Sequence, residues 1–122
     1  MKFYKCKKCG QIVMKVEEKP CGIFCCGEEM EEMVANTVDA SVEKHVPVYE
    51  VKDNRVYVKV GSEPHVMTEE HHIAWILLKT NRGIMLRKLD LDKGPTMVFT
   101  MCEREEVEEV YEYCNLHGLW KA

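Results

Sequence analysis

The sequence has no apolar run near the roughly 20 residues of a membrane span. It also lacks a basic excess. The formal charge is −4 and the pI about 5.7, against the basic stripe of a general nucleic-acid binder. The opening MKFYKCKKCG carries charge with no apolar segment behind it, so no secretory signal is expected. The chain shows no internal repeat and no low-complexity tract. Histidine is missing from the first 44 positions. Partners are therefore expected to include neither nucleic acid nor membrane, and the expected compartment is the cytoplasm. Thiols stay reduced there and serve metals or catalysis more often than disulfides.

Cysteine, by contrast, is abundant. Seven occur in 122 residues, an odd number, and five fall within the first 26. That crowding favours metal binding over a disulfide framework. In Cys6-x-x-Cys9, two intervening residues let a tight turn aim both sulfurs at one ion, and Gly10 follows where positive φ is useful. Cys25 and Cys26 are adjacent. In an extended strand their side chains point to opposite faces, so both reach one ion only if the backbone bends, which Gly27 eases. These four thiols form the first candidate site, as a distorted tetrahedron. Cys21 is a competing donor that could replace one of the adjacent pair. Four sulfurs suit zinc or iron, and ligand type does not separate the two.

The texture changes near Val38. HVPVYEV alternates, KDNR reads as a turn, and VYVKVG places Val56, Val58 and Val60 on one face, a hairpin pattern. HIAWILLKT, IMLRKLDL and TMVFTM read as further strands, separated by turns at NRG and DKGP. Short strands with Gly and Pro punctuation point to an all-β sandwich. EREEVEEVYEYC is ambiguous, since Val107, Val110 and Tyr111 also fit a helical turn. Its acidic run reads as a solvated face. The expected division is 1–36 and 37–122.

All five histidines, His45, His65, His71, His72 and His117, lie in the second segment, with Cys114 three residues before His117. Each alone has a bland reading as a loop or surface residue. Together they form a candidate ligand set on loops at one end of a sandwich.

At this point EKHVPV, GSEPHVMTEEHHIAW and EYCNLHGLWKA resemble the three ligand-bearing motifs of the superoxide reductase family. YKCKKCG and CCGEEM resemble its desulforedoxin-type domain. The combination is similar to the two-iron form, desulfoferrodoxin. The resemblance spans almost the whole chain. It implies a small desulforedoxin/rubredoxin-like domain with iron on Cys6, Cys9, Cys25 and Cys26, followed by an immunoglobulin-like β-sandwich. It implies a second iron held by imidazoles of His45, His65, His71 and His117 and the axial thiolate of Cys114. His71 is preferred to His72, which stands where the family has an aromatic residue after the ligand. Trp75 then matches the family Trp. Glu43 and Lys44 match the pair preceding the first imidazole ligand, Lys44 attracting superoxide and Glu43 closing the sixth position of the oxidised resting state. The implied activity is reduction of superoxide to hydrogen peroxide, with a rubredoxin-like donor and a homodimer. Two other readings follow from the residues alone. A non-catalytic zinc module explains the thiols but not the histidines. A blue-copper carrier lacks the weak axial Met after His117.

Overall fold

A computed structural model describes residues 1–122. The chain divides into two compact units, Met1–Val34 and Ala35–Ala122. No helix is long and apolar enough to cross a membrane.

The first unit is built from very short strands: β1 (Phe3–Lys5), β2 (Ile12–Met14), β3 (Phe24–Cys25), β4 (Glu28–Glu29) and β5 (Glu31–Met33). They form an antiparallel sheet ordered β2-β1-β5 and a separate β3-β4 ribbon. The ribbon pairs Cys25 with Glu28 across a two-residue turn. Both turn residues, Cys26 (φ 53°) and Gly27 (φ 77°), are left-handed. This is what the favoured two-residue hairpin turn requires, and it supplies the bend that adjacent thiols need. Around the loop that follows β2, Lys15 Nζ donates to the carbonyls of Lys19 and Cys21, both at 2.7 Å. Cys21 itself is exposed.

The second unit begins with a single helical turn, α1 (Val42–His45). Seven strands follow: β6 (Pro47–Lys52), β7 (Arg55–Val60), β8 (Ile73–Thr80), β9 (Gly83–Lys88), β10 (Thr96–Thr100), β11 (Val107–Cys114) and β12 (Gly118–Lys121). Two antiparallel sheets, ordered β10-β7-β6 and β12-β11-β8-β9, make a sandwich. Its core takes Val56, Val58 and Val60 from β7, Phe99 from β10, Ile73, Ile76 and Leu78 from β8, and Val110 and Cys114 from β11. The alternation in VYVKVG is thus the pleat of β7, whose three valines are at most 2% exposed.

The ambiguous segment is a strand. Tyr111 and Tyr113 on one face of β11 and Val110, Glu112 and Cys114 on the other are all buried, so both faces are covered and a helical stripe has no place. The expected strand through Leu91 ends at Lys88, and Leu91–Lys93 forms a 3-10 turn before Gly94. At the start of β8 the pairing slips. Tyr113 faces Trp75, Cys114 faces Ile73, and Ala74 is left over. This bulge resets the pleat, so Ile73 joins Ile76 and Leu78 in the core despite its odd spacing.

Candidate metal centres

Two groups of metal-binding side chains are assembled, each with its donor atoms within 4.8 Å of one another: Cys6, Cys9, Cys25 and Cys26, and His45, His65, His71, Cys114 and His117.

The first group is a pair of turns facing each other. After β1, the amide of Gly10 donates to the Cys6 carbonyl at 2.9 Å, and the Cys9 amide points at Cys6 Sγ at 3.5 Å. Gly10 adopts φ 80°. From the ribbon, Cys25 Sγ lies 3.6 Å from Cys9 Sγ and 3.9 Å from Cys26 Sγ. A tetrahedron of sulfurs about 2.3 Å from a metal has edges of about 3.8 Å, so the spacing fits one ion. The thiols are electrostatically frustrated without it. The Cys9 amide favours the Cys6 thiolate and lowers its pKa to about 6. The hydrogen-bonding sulfurs of Cys9 and Cys6 then push Cys25 up to about 12 and raise Cys26 as well. A cation removes that conflict. Cys21 lies outside the group.

The second group draws on three segments. α1 delivers His45, the loop between β7 and β8 delivers His65 and His71, and the β11–β12 turn delivers Cys114 and His117. That turn has three residues and is closed by Gly118 at φ 80°. It places both of its donors on one side. α1 is drawn onto the start of the next loop at Gly61, where an added Cβ would stand 2.6 Å from the Glu43 carbonyl and 2.8 Å from that of Val46. The Glu43 carbonyl also accepts from the Glu63 amide at 2.9 Å and the Ser62 hydroxyl at 3.2 Å.

The rings make a closed square. Neighbours in the order His45, His65, His71, His117 stand nearly perpendicular, with centroids 4.5–5.0 Å apart. His45 and His71 are roughly parallel at 6.4 Å, so they face each other across the centre, leaving His65 opposite His117. Cys114 Sγ lies 3.5 Å from His65 Nε2 and 3.9 Å from His117 Nδ1. His45, His65 and Cys114 are buried, whereas His71 and His117 are half-buried.

The hydrogen bonds of the rings show which nitrogens face the centre. His45 Nδ1–H donates to the Ser41 carbonyl at 2.7 Å, and His65 Nδ1–H to that of Val66 at 2.6 Å. Each Nε2 is left with a bare lone pair, yet the two are 3.2 Å apart. His45 Nε2 is 2.9 Å from His117 Nδ1. His71 Nε2 is buried with no partner. Burial works against relieving this crowding by protonation at three of the rings, lowering the pKa values of His45 and His71 and taking His65 to about 4. Neighbouring nitrogens about 3 Å apart are what a square of ligands about 2.1 Å from a metal produces. The donors fit a cation through three Nε2 atoms and one Nδ1. Burial raises the Cys114 thiol, while amides of His117 and Leu116 oppose that by favouring its thiolate.

The other candidates fall around the edge. His72 is outside the group, its Nδ1–H donating to the Thr68 carbonyl at 2.9 Å. Glu43 and Lys44 are exposed on α1 directly before His45. The Glu43 carboxyl is held below its ordinary range by its own backbone amide, by Ser41 and by Lys44. Sequence reasoning missed Glu112, two residues before Cys114. It is fully buried, neither oxygen has a partner, and burial pushes its pKa to about 9. Its place on the inner face of a strand was the available signal. Gly61 was also missed, since glycine after a strand reads as an ordinary turn.

The desulfoferrodoxin family profile matches residues 37–122. A desulfoferrodoxin homolog of Archaeoglobus fulgidus is 42% identical over 123 residues, covering 100% of this chain and 96% of the relative. A superoxide reductase of Thermococcus kodakarensis is 34% identical, covering 73% of this chain and 95% of its own. The crystal structure of the superoxide reductase from Treponema pallidum superposes with a TM-score of 0.83 at 40% identity, over 99% of this chain and 97% of that one. The full-length likeness, together with a four-thiolate group and a group of four imidazoles and one thiolate, places the chain in the desulfoferrodoxin family.

Proposed function

We propose that the chain is a superoxide reductase, converting superoxide, one electron and two protons into hydrogen peroxide. One observation carries this reading. Four imidazoles lie in a square with a thiolate on one side, and no sixth His, Cys, Asp or Glu completes the group. Closed coordination marks a structural metal, whereas a missing ligand marks a reactive one. The ligands are His45, His65, His71, His117 and Cys114, and the metal is iron, as the family resemblance implies. Bound iron would supply the electron and an open coordination position for superoxide.

The protein's own residues supply the rest. Neutral imidazoles offset none of a bound divalent cation's charge and one thiolate offsets half of it, so the loaded site would stay net positive and favour entry of a small anion. Lys44, exposed beside His45, adds to that field and orders water that brings protons. Glu43, kept ionised by its surroundings, is the carboxylate available to the sixth position between turnovers. Burial raises the Cys114 thiol while amides of His117 and Leu116 favour its thiolate; a bound cation would complete the deprotonation, and the sulfur could then donate charge toward the metal.

The four-thiolate group, Cys6, Cys9, Cys25 and Cys26, holds the first iron in the small unit and has no place for substrate. The border expected at 36/37, two residues beyond the boundary of the compact units at 34/35, separates an iron-thiolate domain from the reductase domain. A rubredoxin-like protein returns the electron, the assembly is a homodimer, and the compartment is the cytoplasm. Seven free thiols support a reducing environment.

The test is consumption of superoxide by iron-loaded protein with a reduced donor. Parent protein should release one hydrogen peroxide per superoxide without evolving oxygen. Cys114→Ser should lose turnover by at least about 100-fold. Retained turnover in that variant, or oxygen release by the parent, would refute the assignment.

A further inference from the structure

The three ligand-bearing segments are tied together by polar contacts, and one tie is made by a residue that is not a ligand. Asn115 lies in the β11–β12 turn between Cys114 and His117. Its Oδ1 accepts from the His72 amide at 2.8 Å. Its Nδ2 donates to the Glu70 carbonyl at 2.9 Å. Its own amide donates to the His72 carbonyl at 3.1 Å. Three hydrogen bonds therefore clasp the two residues that flank His71.

The clasped segment is internally tight. The Thr68 amide and hydroxyl both donate to the His71 carbonyl, at 2.9 and 3.2 Å, and the His71 amide donates to Thr68 Oγ1 at 3.1 Å. The Ile73 amide points at Met67 Sδ at 3.4 Å. Such a loop moves as a body, so its attachment point decides where the His71 ring stands. Among the side-chain nitrogens of the square, His71 Nε2 alone is buried without a hydrogen-bonding partner. Unlike those of His45 and His65, its ring has no backbone carbonyl to hold it.

We propose that Asn115 is a positioning residue that sets the His71 imidazole at the second metal centre. This rests on the ligand assignment above. The amide is matched to its task. One end must accept from an N–H and the other must donate to a carbonyl. Aspartate keeps the acceptor but turns a carboxylate oxygen toward the Glu70 carbonyl.

The experiment is a double-mutant cycle on cobalt(II) affinity with the full chain, using Asn115→Asp, Asn115→Ala, His71→Ala and the combinations. The signal is the cobalt–thiolate absorption that Cys114→Ser removes, which separates this centre from the four-thiolate one. Loss of a residue that orients a ligand costs about 10–100-fold in metal affinity. Both Asn115 variants should show such a loss in the parent background and less than about threefold with His71→Ala. Equal losses in both backgrounds would make Asn115 a general structural residue and overturn the proposal, as would no loss in the parent. If His71→Ala binds cobalt(II) as tightly as the parent, the ligand assignment itself fails.

Discussion

The two metal centres solve opposite problems. The first sits in a unit of 34 residues whose strands are two or three residues long, with Cys9 and Cys26 exposed. Its sulfurs surround a tetrahedron and leave nothing open. The second sits at one end of a sandwich whose core is complete without it, and its donors leave one side of a square unfilled. In the first case the metal makes the fold, and in the second the fold makes the metal site. Segments below about 40 residues rarely bury enough surface to stay folded unaided. The sandwich has that surface, so it can hold imidazoles in a crowded, desolvated arrangement that favours reactivity over stability.

Metal removal should separate the two most sharply. Chelation should abolish amide-exchange protection across residues 3–33 while leaving residues 47–121 protected. Hydrogen exchange measured by mass spectrometry reads this directly. Protection that persists in the first unit without metal would erase the contrast.

Lys44→Ala tests the open side of the square. It should slow superoxide capture several-fold and flatten its dependence on ionic strength, because exposed charges act through a screened field. Pulse radiolysis at two salt concentrations provides the rates. The absorption of the four-thiolate centre should not change.

Gly61→Ala probes how the fold builds the second centre. A Cβ there meets the carbonyl of Glu43 in α1 at 2.6 Å and that of Val46 just after it at 2.8 Å. The variant should lose about 1–3 kcal/mol by denaturant unfolding. It should also weaken metal binding at the imidazole centre while the thiolate centre is unaffected.

The smallest effect concerns the far end of the sandwich. The Glu105 carboxylate accepts from the Thr80 hydroxyl and from the Cys102 amide, the latter at 2.7 Å, and its pKa is lowered chiefly by Thr80. A depressed folded pKa contributes stability above the unfolded carboxyl range, near 4.5, and that stability is lost as pH falls through the folded value. Glu105→Gln should therefore narrow the stability gap between neutral and acid pH. An unchanged acid limb would remove Glu105 from the account.

What could be read from the sequence follows the same division. Strands β7 and β10 announce themselves because a half-buried pleat leaves a period-two record, as in Val56, Val58 and Val60, whereas β8 shows as the unbroken apolar run IAWILL because it is buried on both faces. β11 is harder, since both its faces are buried and the alternation vanishes. α1 leaves no record, being a single turn too short for a helical period. In the first unit the strands are too short to carry any pattern, and the cysteines were the legible feature. The thiol and imidazole sets could be named because ligand chemistry restricts residue type. The ties that aim them, Gly61 under α1 and Asn115 beside His71, use residues that occur in any turn, so only coordinates reveal them. Glu112 is legible as an inward strand position but not as a buried acid, because that depends on the strands beside it.

The most direct measurement is the visible spectrum of iron-loaded protein before and after one equivalent of superoxide, in parent and Cys114→Ser. Ferric-thiolate bands from the first centre should be present throughout. In the parent, superoxide should add a broad long-wavelength thiolate-to-iron band, and Cys114→Ser should never show it. A parent spectrum that superoxide leaves unchanged, or a new band that survives Cys114→Ser, would contradict a redox-active iron on Cys114.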